Sequence, residues 1–156
     1  MPNWIEGTLK LRGKREDIRR FFCDGVGPSS PVCSENPVTD YSDDDVLEFR
    51  FKDIPYIKGT RRAFITDAYI CMDQDEGVAC VYVKQAWAFY AGADSGDQNK
   101  WKAISDEYNL DIKLFGIESG MEFIQEMIII RGREPIVNEW EYEDWDWECP
   151  FPEMGG

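Results

Sequence analysis

The run Glu139, Trp140, Glu141, Tyr142, Glu143, Asp144, Trp145, Asp146, Trp147, Glu148 interleaves carboxylates with large rings. In an extended strand successive side chains alternate, so Trp140 and Tyr142 face one way and Glu139, Glu141 and Glu143 the other. Carboxylates two residues apart then lie about 6.5–7 Å apart, close to the spacing of successive phosphates along one DNA strand. A ladder of that kind can occupy a cleft that otherwise holds nucleic acid, with the rings as anchors. Glu139, Trp140, Glu141, Glu143, Asp144, Trp145, Asp146 and Glu148 are therefore candidate partner-binding residues. The same pattern also suits an edge strand whose rings pack on a sheet and whose solvated acids discourage aggregation.

A second acidic run contains Asp40, Asp43, Asp44, Asp45 and Glu48. Clustered carboxylates can hold Mg²⁺ or Ca²⁺ or support phosphoryl chemistry. This run lacks the alternating acids, glycine and terminal glutamate of a calcium loop, so no metal is expected. Asp43, Asp44 and Asp45 join the partner-binding candidates, against the plainer reading of a solvated loop. Asp73, Asp75 and Glu76 fall where a hairpin turn is expected, and turn chemistry accounts for them. Lys10, Arg12, Lys14, Arg15, Arg19 and Arg20 are interleaved with Glu16 and Asp17, as on a solvated helix face.

The chain has no histidine, which removes serine and cysteine triads, histidine-metal centres and histidine acid–base catalysis. No glycine-rich phosphate loop is present either. The five cysteines, Cys23, Cys33, Cys71, Cys80 and Cys149, contain no Cys-x-x-Cys pair. They are expected to be reduced, with Cys71 and Cys80 as small core residues. No catalytic residue and no cofactor is expected, and the chain is taken as non-enzymatic.

Charge is unevenly placed. Residues 1–62 balance, so the net charge of −14 belongs to residues 63–156, and no base occurs from Glu134 onward. Such a chain repels nucleic acid and membranes and attracts basic surfaces. No basic-then-apolar leader and no long apolar stretch is present, which points to the cytoplasm.

The elements that must position these residues follow from periodicity. Strands are expected at Trp4–Leu11, Val46–Phe51, Arg62–Met72, Val78–Phe89, Leu110–Ile117, Met121–Ile130 and Ile136–Tyr142. Helices are expected at Glu16–Asp24 and Gln98–Tyr108, the second capped by Asp97 with Trp101, Ile104 and Tyr108 on its buried face. Asp73–Gly77 is the expected hairpin turn. The order implies one α+β domain over residues 1–156, with a long loop at 25–45 and an acidic aromatic tail at 134–156. Its core is expected to be a ferredoxin-like split βαβ, an antiparallel sheet with two helices on one face and additional C-terminal strands.

Met1-Pro2-Asn3-Trp4, the following strand and Gly13 resemble the start of YubB-type ferredoxin-like proteins of phages and plasmids. Trp87, Trp101, Tyr108-Asn109-Leu110 and Glu118-Ser119-Gly120 are similar to that family's helix, strand and Glu-x-Gly turn. The family usually has a cysteine after the tryptophan, where this chain has Ile5. The resemblance implies the ferredoxin-like fold and a mobile-element origin, and carries over no catalytic residue. By analogy of charge and origin, the expected function is anti-CRISPR-like. The chain would bind and inhibit a host nucleic-acid-binding defence protein through an acidic surface in the host cytoplasm, without contacting nucleic acid or membrane itself. The alternatives are a carboxylate-metal enzyme acting on phosphodiesters or nucleotides, and a homo-oligomeric structural protein, such as a homodimer paired through its sheet.

Overall fold

The computed structural model describes residues 3–29, 38–90, 100–144 and 147. Its organising element is strand β1, Trp4–Lys14. Ile5, Gly7, Leu9, Leu11 and Gly13 alternate with the more polar even-numbered positions, and the odd set is buried. Period-two burial of this kind fixes register, because a one-residue slip would expose the whole apolar set.

Strands β2 (Val26–Pro28), β3 (Val38–Asp40), β4 (Val46–Phe51), β5 (Pro55–Ile57), β6 (Ala63–Ile65), β7 (Ala68–Cys71) and β8 (Glu76–Ala86) follow. Then come β9 (Asp111–Glu118), β10 (Phe123–Ile129) and β11 (Ile136–Glu141). The two α-helices are α1, Arg15–Arg20, and α2, Lys100–Tyr108. A π-helical turn, Phe21–Gly25, extends α1.

The protein is thus mostly β, with an eight-stranded sheet in the order β11-β10-β9-β1-β8-β6-β5-β2 and a three-stranded sheet in the order β3-β4-β7. All neighbours are antiparallel. β1 lies between β8 and β9, pairing Leu9 with both Val81 and Leu114.

Both helices cover the odd-numbered face of β1. Ile18, Phe21 and Phe22 meet Trp101, Ile104 and Tyr108 in one cluster with Ile5, Leu9 and Leu11. That cluster continues into the small sheet through Leu47 and Phe49, with Phe22 stacked on Phe49 at 4.8 Å. Trp101 is anchored by donating its indole N–H to Gln85 Oε1 at 2.9 Å. On the opposite face Ile117, Ile124 and Tyr142 form a smaller cluster.

Several expectations need correction. One sheet was expected and two are found. The stretch 62–72 divides at Thr66–Asp67, where Asp67 Oδ1 accepts the Phe51 N–H, so β6 joins the large sheet and β7 the small one. Asp73–Gly77 closes no hairpin, since β7 pairs with β4 while β8 pairs with β1 and β6. The expected loop at 25–45 contains β2 and β3. Cys71 and Cys80 are exposed rather than core residues. The Asp97 cap, Cys33, Cys149 and tail residues 145, 146 and 148–156 lie outside the described residues. Among the described residues no helix is long and apolar enough to cross a membrane.

Candidate functional site

Arg15 opens α1 directly after β1, and it ties together two acidic segments that are distant in sequence. Its Nε donates to the Met72 carbonyl at 3.1 Å and its Nη2 to the Val46 carbonyl at 2.9 Å and to the Asp43 carbonyl. Its backbone N–H donates to Asp75 O at 2.7 Å, and Met72 N–H to Asp45 O at 2.7 Å. Every acceptor is a main-chain oxygen, so the guanidinium spaces the loops without pairing with a carboxylate.

The first of these loops is held by its own side chains. Asp43 Oδ1 accepts the N–H groups of Asp45 and Val46, and Asp40 Oδ1 accepts that of Ser42. This is the usual local turn chemistry of Asp. It leaves Asp43, Asp44 and Asp45 exposed beside Asp73, Asp75 and Glu76, which are also exposed. None of the six forms an ion pair among the described residues. Lys14 and Arg15 are the cations lining the adjoining open cleft of about 620 Å³, with Glu16, Asp75 and Glu76.

Other acids are neutralised. Asp40 pairs with Arg19 at 2.6 Å, Glu48 with Arg50 at 2.7 Å and Glu126 with Lys113 at 2.7 Å. Burial pushes the Asp40 carboxyl up, but hydrogen bonds from Ser42 and Arg19 outweigh it and hold the group below its ordinary value. Asp111, nearly buried, accepts Arg12 Nε at 2.8 Å, Arg131 N at 3.0 Å and Arg131 Nε at 3.2 Å. Burial raises its pKa, and the Arg131 N–H and Arg12 more than reverse that. No group of three or more Cys, Asp or Glu residues that could hold a metal ion occurs among the described residues.

The C-terminal candidates stand elsewhere. Trp140 and Asn138 lie on the helix-free face, where Trp140 meets Phe115 at 6.2 Å. Glu139 and Glu141 project from the other face of β11. Glu139 Oε2 accepts Gln125 Nε2 at 2.8 Å, and the buried Gln125 also exchanges hydrogen bonds with the Tyr90 main chain at 2.9 and 3.0 Å. Glu143 and Asp144 are exposed beyond the strand. Trp145, Asp146 and Glu148 lie outside the described residues.

The two acidic regions do not share one surface. Through the register, Glu139 aligns with Gln125, Gly116, Gly7 and Val83. Four strand spacings, about 19 Å, and the length of β8 from Val83 to Glu76, about 23 Å, therefore separate Glu139 from Glu76. The sequence alone signals neither the alliance of 43–45 with 73–76 nor the role of Arg15, because carbonyl acceptors leave no mark on residue type.

Asn3, Trp87 and the turn Glu118–Gly120 meet at the other end of β1. Asn3 O accepts the Trp87 N–H at 2.8 Å, and the Asn3 amide packs on Gly120 so closely that a Cβ there would lie 2.7 Å from its Nδ2. Glu118, 1% exposed, accepts the Gly120 N–H at 3.0 Å and that of Met121. This Glu-x-Gly turn is thus a self-capping connection between β9 and β10. No family model, curated protein or solved structure matches the chain.

Proposed function

We propose that this chain is a non-enzymatic interaction protein of a phage or other mobile element. In the host cytoplasm it binds a nucleic-acid-binding defence protein through its acidic end and blocks it, as an anti-CRISPR protein does. The observation that carries the reading is the convergence of Asp43, Asp44 and Asp45 with Asp73, Asp75 and Glu76 around Arg15. Six exposed acids on a cross-linked pair of loops form a preorganised negative surface, which favours association with a basic cleft and speeds encounter. A standard interface covers roughly 800 Å² per partner, so it would centre on this end rather than span to β11 as well. Glu139, Glu141, Glu143 and Asp144 then flank the molecule instead of contributing the main contact.

The architectural part of the proposal is a ferredoxin-like core formed by β9-β1-β8-β6 with α1 and α2. It is supported by α1 following β1, by α2 joining β8 to β9, and by both helices lying on one face. A YubB-type relationship is supported by the meeting of Asn3, Trp87 and Gly120.

The test uses host-lysate capture at low and high salt. A captured partner should release its bound nucleic acid when this chain is added. D44K/D45K/D75K should weaken binding at least about tenfold at low salt, and high salt should weaken the wild type similarly. E139K/E141K/E143K should weaken it less. Capture that ignores salt and survives D44K/D45K/D75K overturns the proposal.

A further inference from the structure

Strand β11 borders the eight-stranded sheet, and among the described residues nothing pairs with its outer edge. An unpaired edge presents a row of main-chain donors and acceptors, which natural sheets usually blunt with charge, proline or a bulge. β11 is blunted on one face only. Its helix side carries Glu139 and Glu141, whereas its helix-free side carries Ile136, Asn138 and Trp140. Ile136 is 57% exposed and Trp140 42% exposed.

We infer that β11 pairs antiparallel with β11 of a second copy of this chain, about a two-fold axis through Asn138. The occupant is chosen by self-complementarity. A two-fold axis perpendicular to the sheet requires each residue to meet one of its own face, so the axis must pass through a residue position. Centring on Glu139 sets that carboxylate against its own copy. Centring on Val137 pairs only Ile136–Asn138 within the strand and leaves its other half unused. Centring on Asn138 sets Ile136 against Trp140 twice, Val137 against Glu139 twice, and no like charges opposite one another. Aromatic against β-branched is a favourable cross-strand combination. The result is a continuous sixteen-stranded sheet, built from two eight-stranded ones, with all helices on one side. This interface is independent of the acidic end proposed above, which is formed by the loops at 43–45 and 73–76.

Light scattering across a dilution series, at low and high salt, tests it. Each copy carries a net charge of −14, so screening should tighten self-association, opposite to the salt effect expected for a basic partner. I136K/W140K should weaken dimerisation at least about tenfold, since each copy then meets lysine with lysine. Should I136K/W140K prove less stable, a cross-link decides. Directly opposed residues lie about 4.5–5.5 Å apart at Cα, within disulfide reach. N138C in a C71S/C80S background should therefore form a covalent dimer under mild oxidation, and the same background with Asn138 should not. A monomer at every concentration and salt overturns the inference. So does a dimer indifferent to I136K/W140K, or N138C that cross-links no better than its control.

Discussion

Asp111 shows how single residues here convert charge into stability. Its carboxylate is 7% exposed at the start of β9 and takes hydrogen bonds from Arg12 of β1 and Arg131 beyond β10. It thus links three consecutive strands of the sheet. Asp111→Asn removes the charge and leaves donors poorly matched, and should cost about 2 kcal/mol at neutral pH by chemical denaturation. The folded pKa is depressed, so the contribution is present above the ordinary carboxylate value and is lost as pH falls through the lower folded one. The gap between wild type and Asp111→Asn should therefore narrow as pH falls below the ordinary carboxylate range. Gln125 serves β11 in a comparable way, holding Glu139 and the Tyr90 main chain from a buried position. An acid that sequence alternation offers as a free contact is in this case partly occupied within the fold.

Among the elements, β1 depends on the absence of a side chain at its centre. A Cβ on Gly7 would lie 2.0 Å from Phe115 O, and its partner Gly116 is covered by the Phe89 ring. Neither the carbonyl of a central strand nor a buried ring can yield cheaply. Gly7→Ala should lower stability by about 3 kcal/mol or more, measured by thermal or denaturant melting. The long elements were legible because their period repeats often enough to be seen. Trp4–Leu11 appears as Trp4–Lys14, Leu110–Ile117 as Asp111–Glu118, and Ile136–Tyr142 as Ile136–Glu141. The expected helix at Glu16–Asp24 ends early, and its second half winds as a π-turn whose Phe21 and Phe22 both reach the core. The three-residue strands β2, β3, β5 and β6 are too short for alternation to register. The second sheet was hidden for a different reason. Thr66–Asp67 looks like the middle of one strand, and only Phe51, sixteen residues earlier, reveals that the chain changes sheets there. Of the candidate site, the acids themselves were visible, but their grouping depended on Arg15 reaching carbonyls that no residue type announces.

At the scale of the whole molecule, negative charge divides into a neutralised share and a free one. Ion pairs consume the acids beside α1, β4 and the sheet face, while the loops at 43–45 and 73–76 remain uncompensated. That division underlies the opposite salt dependences proposed for the two surfaces. The strand order has its own outcome. The first strand of the chain lies in the middle of the large sheet, and Leu9 waits for Val81 on one side and Leu114 on the other. A chain ending at Tyr108 should accordingly lack a cooperative melt by circular dichroism, and the intact chain should refold in milliseconds to seconds rather than microseconds. During synthesis at roughly 5–20 residues per second, β1 leaves the ribosome several seconds before its last neighbour exists. For that interval the nascent chain carries an apolar ribbon with at least one bare edge. The growing polypeptide should therefore be a client of ribosome-associated chaperones, whatever the finished molecule goes on to bind.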